Sequence, residues 1–494
     1  MLRHHGYQRI LRKGRTKMTA TPKRKERAIF TNDAECDDMN SFLHMLLYAN
    51  DIDIEGLVLS SSIFHYEGDP AQGIEPKRWA GGQWMWDYLD GYAAAYPNLV
   101  VHDPAYPTPD YLRSVTAIGN VKTTGCMDED TEGSELIRKA IFKDDPRPLY
   151  LLAGGGTNTI ARALKHIEDE FRGTPQWEAV YRQVCSKAII YMIVTQDDTY
   201  KDYIAGAWPD LRMLHCTSIF GIAFIYNQSV CPPDTLEVFK GSWLKPHILD
   251  KGPLCARYHT WFDGHVYPGE QDRSQFGSNE SMRDGNWWGK EPHETYDMIS
   301  EGDSPSFLYL IDKGLRGTED PSWGGWGGRF ARVKDNEFNT AADYWASAAD
   351  ADCGPTQGIA YQLTRWIGDW MNDFAGRAAW CATPSYRDAN HAPQVEVAEG
   401  LDLSCGAGES VTLHAEGSDP DGDALAYDWF RYSEADTCDA EVELAADGAA
   451  CTVNVPADAK PGDTIHVIVR VRDDADGKRD GYMVAYRRVV LTVA

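Results

Sequence analysis

The sequence has no apolar run long enough to cross a bilayer, and it is poor in positive charge. Its 48 lysine and arginine residues stand against 75 acidic residues, which gives a formal net charge of −27. A chain this acidic is repelled by phosphate groups, so we expect neither nucleic acid nor an anionic membrane surface as a partner. We expect no membrane span either.

The eleven cysteines include no Cys-x-x-Cys pair, and their number is odd. This pattern predicts neither a zinc ribbon nor a fully paired disulfide framework. Cys405, Cys438 and Cys451 lie close enough in sequence for one disulfide if the protein is exported. Cysteine usage therefore leaves the compartment open.

The N-terminal 27 residues differ sharply from the rest of the chain. They hold ten Lys/Arg and one Glu, a net charge of +9, and they lack the apolar core of a signal peptide. We expect residues 1–27 to form a disordered basic arm, with Met18 as an alternative initiator. At 494 residues the chain is too long for one ordinary core, so more than one domain is expected.

Three carboxylates, Asp33, Asp37 and Asp38, follow a short apolar run that ends at Thr31. A periodic apolar segment and a second apolar run come next, a pattern typical of a βαβ unit. Like charges so close together are stable when they are solvated, partly protonated or bound to a cation. Two interpretations remain open: a metal site, or helix N-terminal acids that the macrodipole favours, with Asp33 in a solvated loop.

Further buried strands alternate with helices up to about residue 390. The stretch 147–171 predicts a strand, a glycine turn at 154–156 and a helix, and 188–196 predicts another strand. The glycine turn is not a P-loop, because the required lysine is missing. The fold class predicted for residues 28–390 is therefore α/β, a mostly parallel sheet flanked by helices.

Several polar and aromatic residues follow these strands in loops. His65 follows the second strand, Trp208 precedes an apolar segment at 219–226, and Trp323 and Trp326 lie in a glycine-rich loop. Tryptophans of this kind are typical of sugar-stacking surfaces, and equally of a packed core. A lone histidine is more often structural, and Asp303 before Ser-Pro is most often a helix N-cap.

Helix signals vanish after residue 390. Short alternating runs at 410–415, 424–430, 464–473 and 482–493, separated by Gly, Asp and Pro turns, predict an all-β sandwich over residues 391–494. Its turn at 419–423, Asp-Pro-Asp-Gly-Asp, fits calcium but also fits an ordinary turn.

The first domain resembles the nucleoside hydrolase superfamily, and the whole chain resembles its cellulose-binding branch with a C-terminal Ig-like or cadherin-like domain. Three motifs in the right order carry the resemblance. They are the acidic motif of Asp33, Asp37 and Asp38, the glycine turn that ends in Thr157-Asn158, and Asp303 followed by a segment that ends at Asp312.

The resemblance implies residue roles. Calcium would be held by Asp33, Asp38, Asp303 and the backbone carbonyl of Ala153, and Asp37 would be the general base toward a metal-bound water. His65 falls where the family has a hydroxyl-binding asparagine. The substrate-binding residues predicted in all are His65, Asn158, Trp208, Glu301, Trp323 and Trp326.

Two departures put nucleoside specificity in doubt. The position before Asp303 is Gly302, where nucleoside hydrolases often have a histidine that assists the leaving base, and the Glu-aromatic-Asn ribose clamp is absent. We therefore expect a calcium-dependent hydrolase of N- or O-glycosyl bonds of a furanosyl-type, glycan-related substrate. The alternative is a non-catalytic cellulose- or polysaccharide-binding protein on a hydrolase-like scaffold.

Acidic residues and tryptophans favour different alternatives. Retention of the acidic residues favours the hydrolase, whereas the tryptophan-rich loops favour the binding protein. The expected partner is a carbohydrate or glycoside ligand, and association into a homo-oligomer, common in the superfamily, stays open. The resemblance implies an extracellular or periplasmic location, although the N-terminus carries no readable signal peptide.

Overall fold

The computed structural model describes residues 25–218, 231–265, 294–334, 342–351, 358–474 and 481–494. The predicted basic arm, except its last three residues, and the apolar segment at 219–226 lie outside the described residues.

The first domain is built on an eight-stranded sheet in the order β3-β2-β1-β4-β5-β6-β8-β7. Every neighbouring pair is parallel except β7 and β8. Its strands are β1 (Glu26–Asn32), β2 (Ile52–Leu59), β3 (Thr116–Ile118), β4 (Leu149–Ala153), β5 (Ala188–Ile193), β6 (Arg212–Cys216), β7 (Phe330–Arg332) and β8 (Tyr344–Ser347).

Helices cover both faces of this sheet, as continuous apolar strands require. They are α1 (Cys36–Leu46), α2 (Gln83–His102), α3 (Pro109–Ser114), α4 (Glu132–Phe142), α5 (Asn158–Phe171), α6 (Trp177–Lys187), α7 (Ala205–Ala207), α8 (Gly241–Leu244), α9 (Gly252–Cys255), α10 (Ser304–Leu308), α11 (Gly358–Thr364) and α12 (Ile367–Ala382). Short π segments (Tyr200–Ile204, Lys245–Leu249) and 3₁₀ segments (Pro233–Phe239, Tyr386–Asp388, Ser433–Ala435) complete the set. Within the described ranges, no helix combines the length and apolarity that a membrane crossing requires.

The order of strands places the site. Strand β1 lies at the centre between β2 and β4, and Thr31 near its end pairs with Ala153 at the end of β4. The carboxyl ends of adjacent parallel strands whose connections run in opposite directions leave a crevice in which open α/β sheets bind ligands. The acidic motif follows β1 and the glycine turn follows β4, so both lie at this crevice.

The C-terminal residues form the predicted β-sandwich. One sheet has the order β10-β16-β15-β12 and the other β13-β14-β11-β9. The strands are β9 (Gln394–Val397), β10 (Asp402–Cys405), β11 (Ser410–Ser418), β12 (Ala426–Arg431), β13 (Glu443–Asp447), β14 (Ala450–Asn454), β15 (Thr464–Arg472) and β16 (Val484–Val493). Cys405, Cys438 and Cys451 are all buried free thiols, so the disulfide considered for them is not formed.

The fold class predicted from the sequence is confirmed in both parts. The sequence patterns located β11, β12, β15 and β16, but they missed β9, β10, β13 and β14. Strand β13 has four of its five side chains exposed, and β9 and β10 are only four residues long. Elements so short or so exposed carry little hydrophobic periodicity, because few of their residues face a core.

Candidate metal centre

Strand β1 delivers the acidic motif into the interior. After Asn32 the chain turns through Ala34, whose φ of +70° lies in the left-handed region, and α1 begins at Cys36. Asp33 lies in this turn, and Asp37 and Asp38 lie in the first turn of α1. Asp33 is wholly buried and Asp38 is 1% exposed, so these are not solvated helix-terminal acids.

Asp303 reaches the same place from 265 residues further along the chain. It occupies the N-cap position of α10, but its side chain makes no capping hydrogen bond. Instead, carboxylate oxygens of Asp37, Asp38 and Asp303 lie within 4.8 Å of one another. The structure thus brings together the late and early acidic motifs, and the capping alternative for Asp303 does not hold.

The grouped carboxylates perturb one another. Burial, followed by the charges of Glu35 and Asp33, raises the pKa of Asp37 to about 8. Burial and neighbouring carboxylates also raise the pKa values of Asp38 and Asp303 well above the usual range. Such mutual repulsion is relieved by a proton or a cation.

Asp33 behaves differently. Burial opposes its ionisation, but the charge of His65 and hydrogen bonds hold its pKa below the usual value. His65 Nδ1 lies 3.7 Å from Asp33 Oδ2. That oxygen is buried and accepts no hydrogen bond from the described residues.

The glycine turn after β4 closes against the carboxylates. A Cβ on Gly154 would come within 2.9 Å of Asp38 Oδ1, and one on Gly155 within 2.8 Å of Asp33 Cβ. Gly154 N also donates to Thr31 O at 2.8 Å, which fixes the turn beside the end of β1. Ala153, the predicted carbonyl ligand, therefore ends its strand next to the acidic residues.

The residues present fit a calcium ion. The donor set is made of hard oxygen atoms, as calcium prefers, and it includes an unsatisfied buried oxygen on Asp33. Of the predicted ligands, Asp38 and Asp303 belong with Asp37 to one group of carboxylates within 4.8 Å, whereas Asp33 is grouped with Glu35 and His65. The residues that would hold the ion are therefore Asp38 and Asp303, with Asp33, Asp37 and the carbonyl of Ala153 beside them.

Sequence reasoning missed Glu35, although it lies inside the acidic motif. Its Oε2 is 3.7 Å from His65 Nδ1, and its Oε1 is 3.7 Å from Arg78 Nη2. Glu35 and Arg78 are both 15% exposed, so they form a charged rim beside Asp33. A glutamate amid three aspartates was the available signal.

Glu301 does not face a substrate. It is wholly buried, and its oxygens are occupied by His44 Nδ1 at 2.7 Å, by Ser304 Oγ at 2.5 Å and by the Tyr258 hydroxyl. Ser304 follows Asp303 directly, so Glu301 anchors the segment that presents Asp303.

Asn158 is likewise a structural residue. Its Oδ1 accepts from Ser60 Oγ at 2.7 Å, and its Nδ2 donates to Asn120 O at 2.8 Å and to Cys126 O at 3.0 Å. Since this amide is saturated by protein partners, it secures the loops beside the crevice and has nothing left for a sugar.

The three tryptophans predicted to bind substrate pack against protein instead. Trp208 is 1% exposed and stacks on Tyr181 with ring centroids 5.4 Å apart. Trp326 is 1% exposed and donates from Nε1 to Tyr486 Oη at 3.2 Å. Trp323 packs edge-on against His466, so both residues of the glycine-rich loop contact the sandwich.

Two protein families match parts of this chain. The family described as cellulose-binding Sde182, nucleoside hydrolase-like domain, matches residues 27–330. The C-terminal domain of cellulose-binding protein Sde0182 matches residues 410–493.

A solved structure is similar over nearly the whole chain. It is a nucleoside hydrolase-related hypothetical protein from Saccharophagus degradans that is associated with carbohydrate metabolism. It is 28% identical, the TM-score is 0.70, and the match covers 95% of this chain and 100% of that chain. No curated protein matches the chain.

Proposed function

This chain belongs to the cellulose-binding Sde182 family with a nucleoside hydrolase-like domain, and from that membership we propose that it is a calcium-dependent hydrolase of glycosyl bonds. The substrate class is an N- or O-glycoside of a furanosyl-type sugar in a glycan-related molecule. The observation that carries the proposal is the convergence of buried carboxylates from Asp37, Asp38 and Asp303 within 4.8 Å.

Asp37 is the base in this proposal. Calcium, when bound, would lower the pKa of water beside it and neutralise the surrounding carboxylates. Asp37 would then take the proton from the attacking water, because the family resemblance gives it the role of general base and its carboxylate lies within 4.8 Å of those of Asp38 and Asp303. The remaining negative charge of the site favours the positive charge that develops at the anomeric carbon.

The rim residues would orient the sugar. His65 lies beside Asp33, and Glu35 and Arg78 lie outside it, so sugar hydroxyls entering the crevice meet both donors and acceptors. Gly302 offers no side chain to protonate a leaving base. This favours glycosides other than ordinary nucleosides.

Asp37→Asn tests the chemistry. The variant should lose at least about 100-fold of turnover on a glycoside panel, because a general base is removed, while ligand binding persists. A parent protein that turns over nothing on furanosides, nucleosides and oligosaccharides in calcium would refute the proposal. Gly206→Ala is the matched control, since nothing lies within 4 Å of the added Cβ.

Calcium titration by calorimetry tests the site itself. Binding to the first domain should be abolished by Asp38→Asn, which removes a charged ligand and keeps the shape of the side chain. Unchanged stoichiometry and affinity in that variant would show that the acidic motif does not hold calcium.

The second candidate is a polysaccharide-binding protein without turnover. Two apolar side chains next to His65 favour it: Ile63 is 41% exposed and Phe64 is 39% exposed. Exposed aromatic rings beside a polar crevice suit the apolar faces of sugar rings. Phe64→Ala should then weaken retention on cellulose, whereas Tyr111→Ala, which removes an equally exposed ring (42%), should not.

A further inference from the structure

Two buried cysteines meet between helices of the first domain. Cys255 ends α9 and is wholly buried, and Cys381 lies in the last turn of α12 and is 2% exposed. Both are free thiols in this structure. The two residues are far apart in sequence, so the fold alone brings them to the same place.

The two side chains are in direct contact. A hydrogen bond joins the thiols of Cys255 and Cys381, and this bond, followed by burial, raises the pKa of Cys381 well above the usual range. The Cys381 Sγ also lies 4.0 Å from Arg377 O, one turn earlier in α12. Thiols are weak hydrogen-bond donors, so their contact reflects how the helices place them more than the energy of the bond itself.

The backbones of the two helices are also close at this point. A Cβ built on Gly252, at the start of α9, would lie 3.6 Å from Cys381 O and 3.9 Å from Ala382 Cβ. Cys255 follows Gly252 within the same helical turn. A disulfide needs Cα atoms within about 7 Å and side chains directed toward each other. Close backbones and thiols in contact are the two features that this geometry requires.

Helix α2 holds both cysteine-bearing helices in place. Asn98 of α2 donates from Nδ2 to Cys381 O at 2.7 Å. A Cβ on Gly91 of the same helix would lie 3.2 Å from Leu254 Cα, so α9 packs closely on α2. The two thiols therefore face each other across a junction of three helices.

We propose that Cys255 and Cys381 form a disulfide when the chain folds in the presence of a small-molecule disulfide oxidant. One protein thiolate attacks the oxidant, which forms a mixed disulfide and releases one thiol. The second protein thiolate then attacks the mixed disulfide and releases the other thiol. The two cysteines lose two electrons and two protons, and the oxidant is reduced to two thiols. Because the thiolate is the reactive form, this exchange takes place before burial encloses the pair.

The disulfide braces one wall of the first-domain centre. Tyr258 follows Cys255 by one turn, and its hydroxyl donates to Glu301. The next residue, His259, accepts at its backbone oxygen from Asn40 Nδ2 of α1 at 2.8 Å. A covalent bond at Cys255 thus fixes the segment that contacts both α1 and Glu301. The bond does not depend on hydrolase activity.

Peptide mapping of the full-length parent tests the bond directly. The chain is refolded with oxidised and reduced glutathione, its remaining thiols are alkylated, and it is digested without reduction. We expect a linked pair of peptides that contains Cys255 and Cys381 and that separates on reduction. Recovery of both cysteines in alkylated, unlinked peptides overturns the proposal.

Thermal unfolding of alanine variants tests the consequence for stability. Oxidation should raise the unfolding midpoint of the parent by at least about 3 °C, because the bond closes a long loop in the unfolded chain. Cys255→Ala and Cys381→Ala should each lose this rise. Cys185→Ala, which removes a half-buried thiol of α6, is the matched control and should keep it. An equal rise in Cys255→Ala would assign the effect to other cysteines and overturn the proposal.

Discussion

At the scale of single residues, protonation of the buried carboxylates opposes cation binding at the proposed metal centre of the first domain. Asp37 has a pKa raised to about 8 by burial and by Glu35 and Asp33, so it holds a proton at pH 7 when no cation is present. A cation competes with that proton because both neutralise the same carboxylates.

We therefore predict that calcium affinity at this centre rises with pH. Below pH 8 the Asp37 carboxyl must lose its proton as calcium binds, so affinity should increase at least about tenfold per pH unit between pH 6 and 8, and the raised pKa values of Asp38 and Asp303 add to this dependence. Calorimetry in buffers of different ionisation enthalpy should detect at least about one proton released per ion at pH 7. Affinity that is flat across this range would contradict a protonated cluster.

His466 gives a residue-scale prediction for stability. Burial, followed by the charges of Arg488 and Arg316, lowers its pKa to about 3, against 6.5 for an ordinary histidine. The unfolded chain thus binds a proton that the folded chain refuses as pH falls below 6.5. The contribution of this histidine to the free energy of unfolding is constant above pH 6.5. Toward pH 3 the free energy of unfolding falls progressively, by about 2 kcal/mol at pH 5.

His466→Gln should flatten this dependence, because glutamine keeps an acceptor for Arg488 Nη1 without titrating. Urea denaturation at pH 5 and pH 7 measures the difference. His414→Gln, a change at an exposed histidine of the same sandwich, should keep the parent slope. An equal slope in His466→Gln would show that another group carries the effect.

At the scale of elements, the turn between β4 and α5 decides whether the carboxylates can meet an ion. A Cβ at Gly154 would lie 2.9 Å from Asp38 Oδ1 and 3.1 Å from Thr31 O. The second contact is with backbone that is paired in the sheet, so the added methyl group should displace the Asp38 carboxylate and leave the backbone in place.

Gly154→Ala should therefore weaken calcium binding about tenfold or more by displacing Asp38, and should cost about 1–3 kcal/mol of stability through overpacking. Calorimetry and denaturation measure the two effects. Gly206→Ala, which adds the same methyl group in open space, should change neither. Full calcium affinity in Gly154→Ala would place the ion away from this turn.

At the scale of the whole molecule, the sandwich and the first domain share buried polar contacts. Asp369 on α12 is 3% exposed and accepts from Tyr482 Oη at 2.8 Å, from the Tyr486 hydroxyl and from Arg470 Nη1 at 3.3 Å. These donors belong to the sandwich, so one carboxylate binds the two domains together.

Asp369→Ala should destabilise the chain by about 2–4 kcal/mol, because it leaves the buried hydroxyls of Tyr482 and Tyr486 without their acceptor. Asp428→Ala is the matched control: Asp428 pairs with the same Arg470 at 2.7 Å but is 52% exposed, so its loss should cost less than about 1 kcal/mol. Equal costs in urea denaturation would show that burial of Asp369 contributes nothing.

The sequence by itself determined the local features of this protein. The strand, acidic turn and helix at Asp33, Asp37 and Asp38, the glycine turn and the sandwich patterns were readable, because adjacent residues and alternation produce them directly. The resemblance to a known superfamily also rested on such short motifs.

Tertiary structure decided which side chains face the crevice. Trp208, Trp323 and Trp326 have the composition of a sugar site, yet long-range partners in the core and in the sandwich enclose them. Glu301 and Asn158 are saturated by residues far away in sequence. Burial and hydrogen bonding depend on these distant partners, which spacing along the chain does not encode. Only the fold therefore distinguishes the grouped carboxylates of the proposed metal centre from the polar residues that hold them in place.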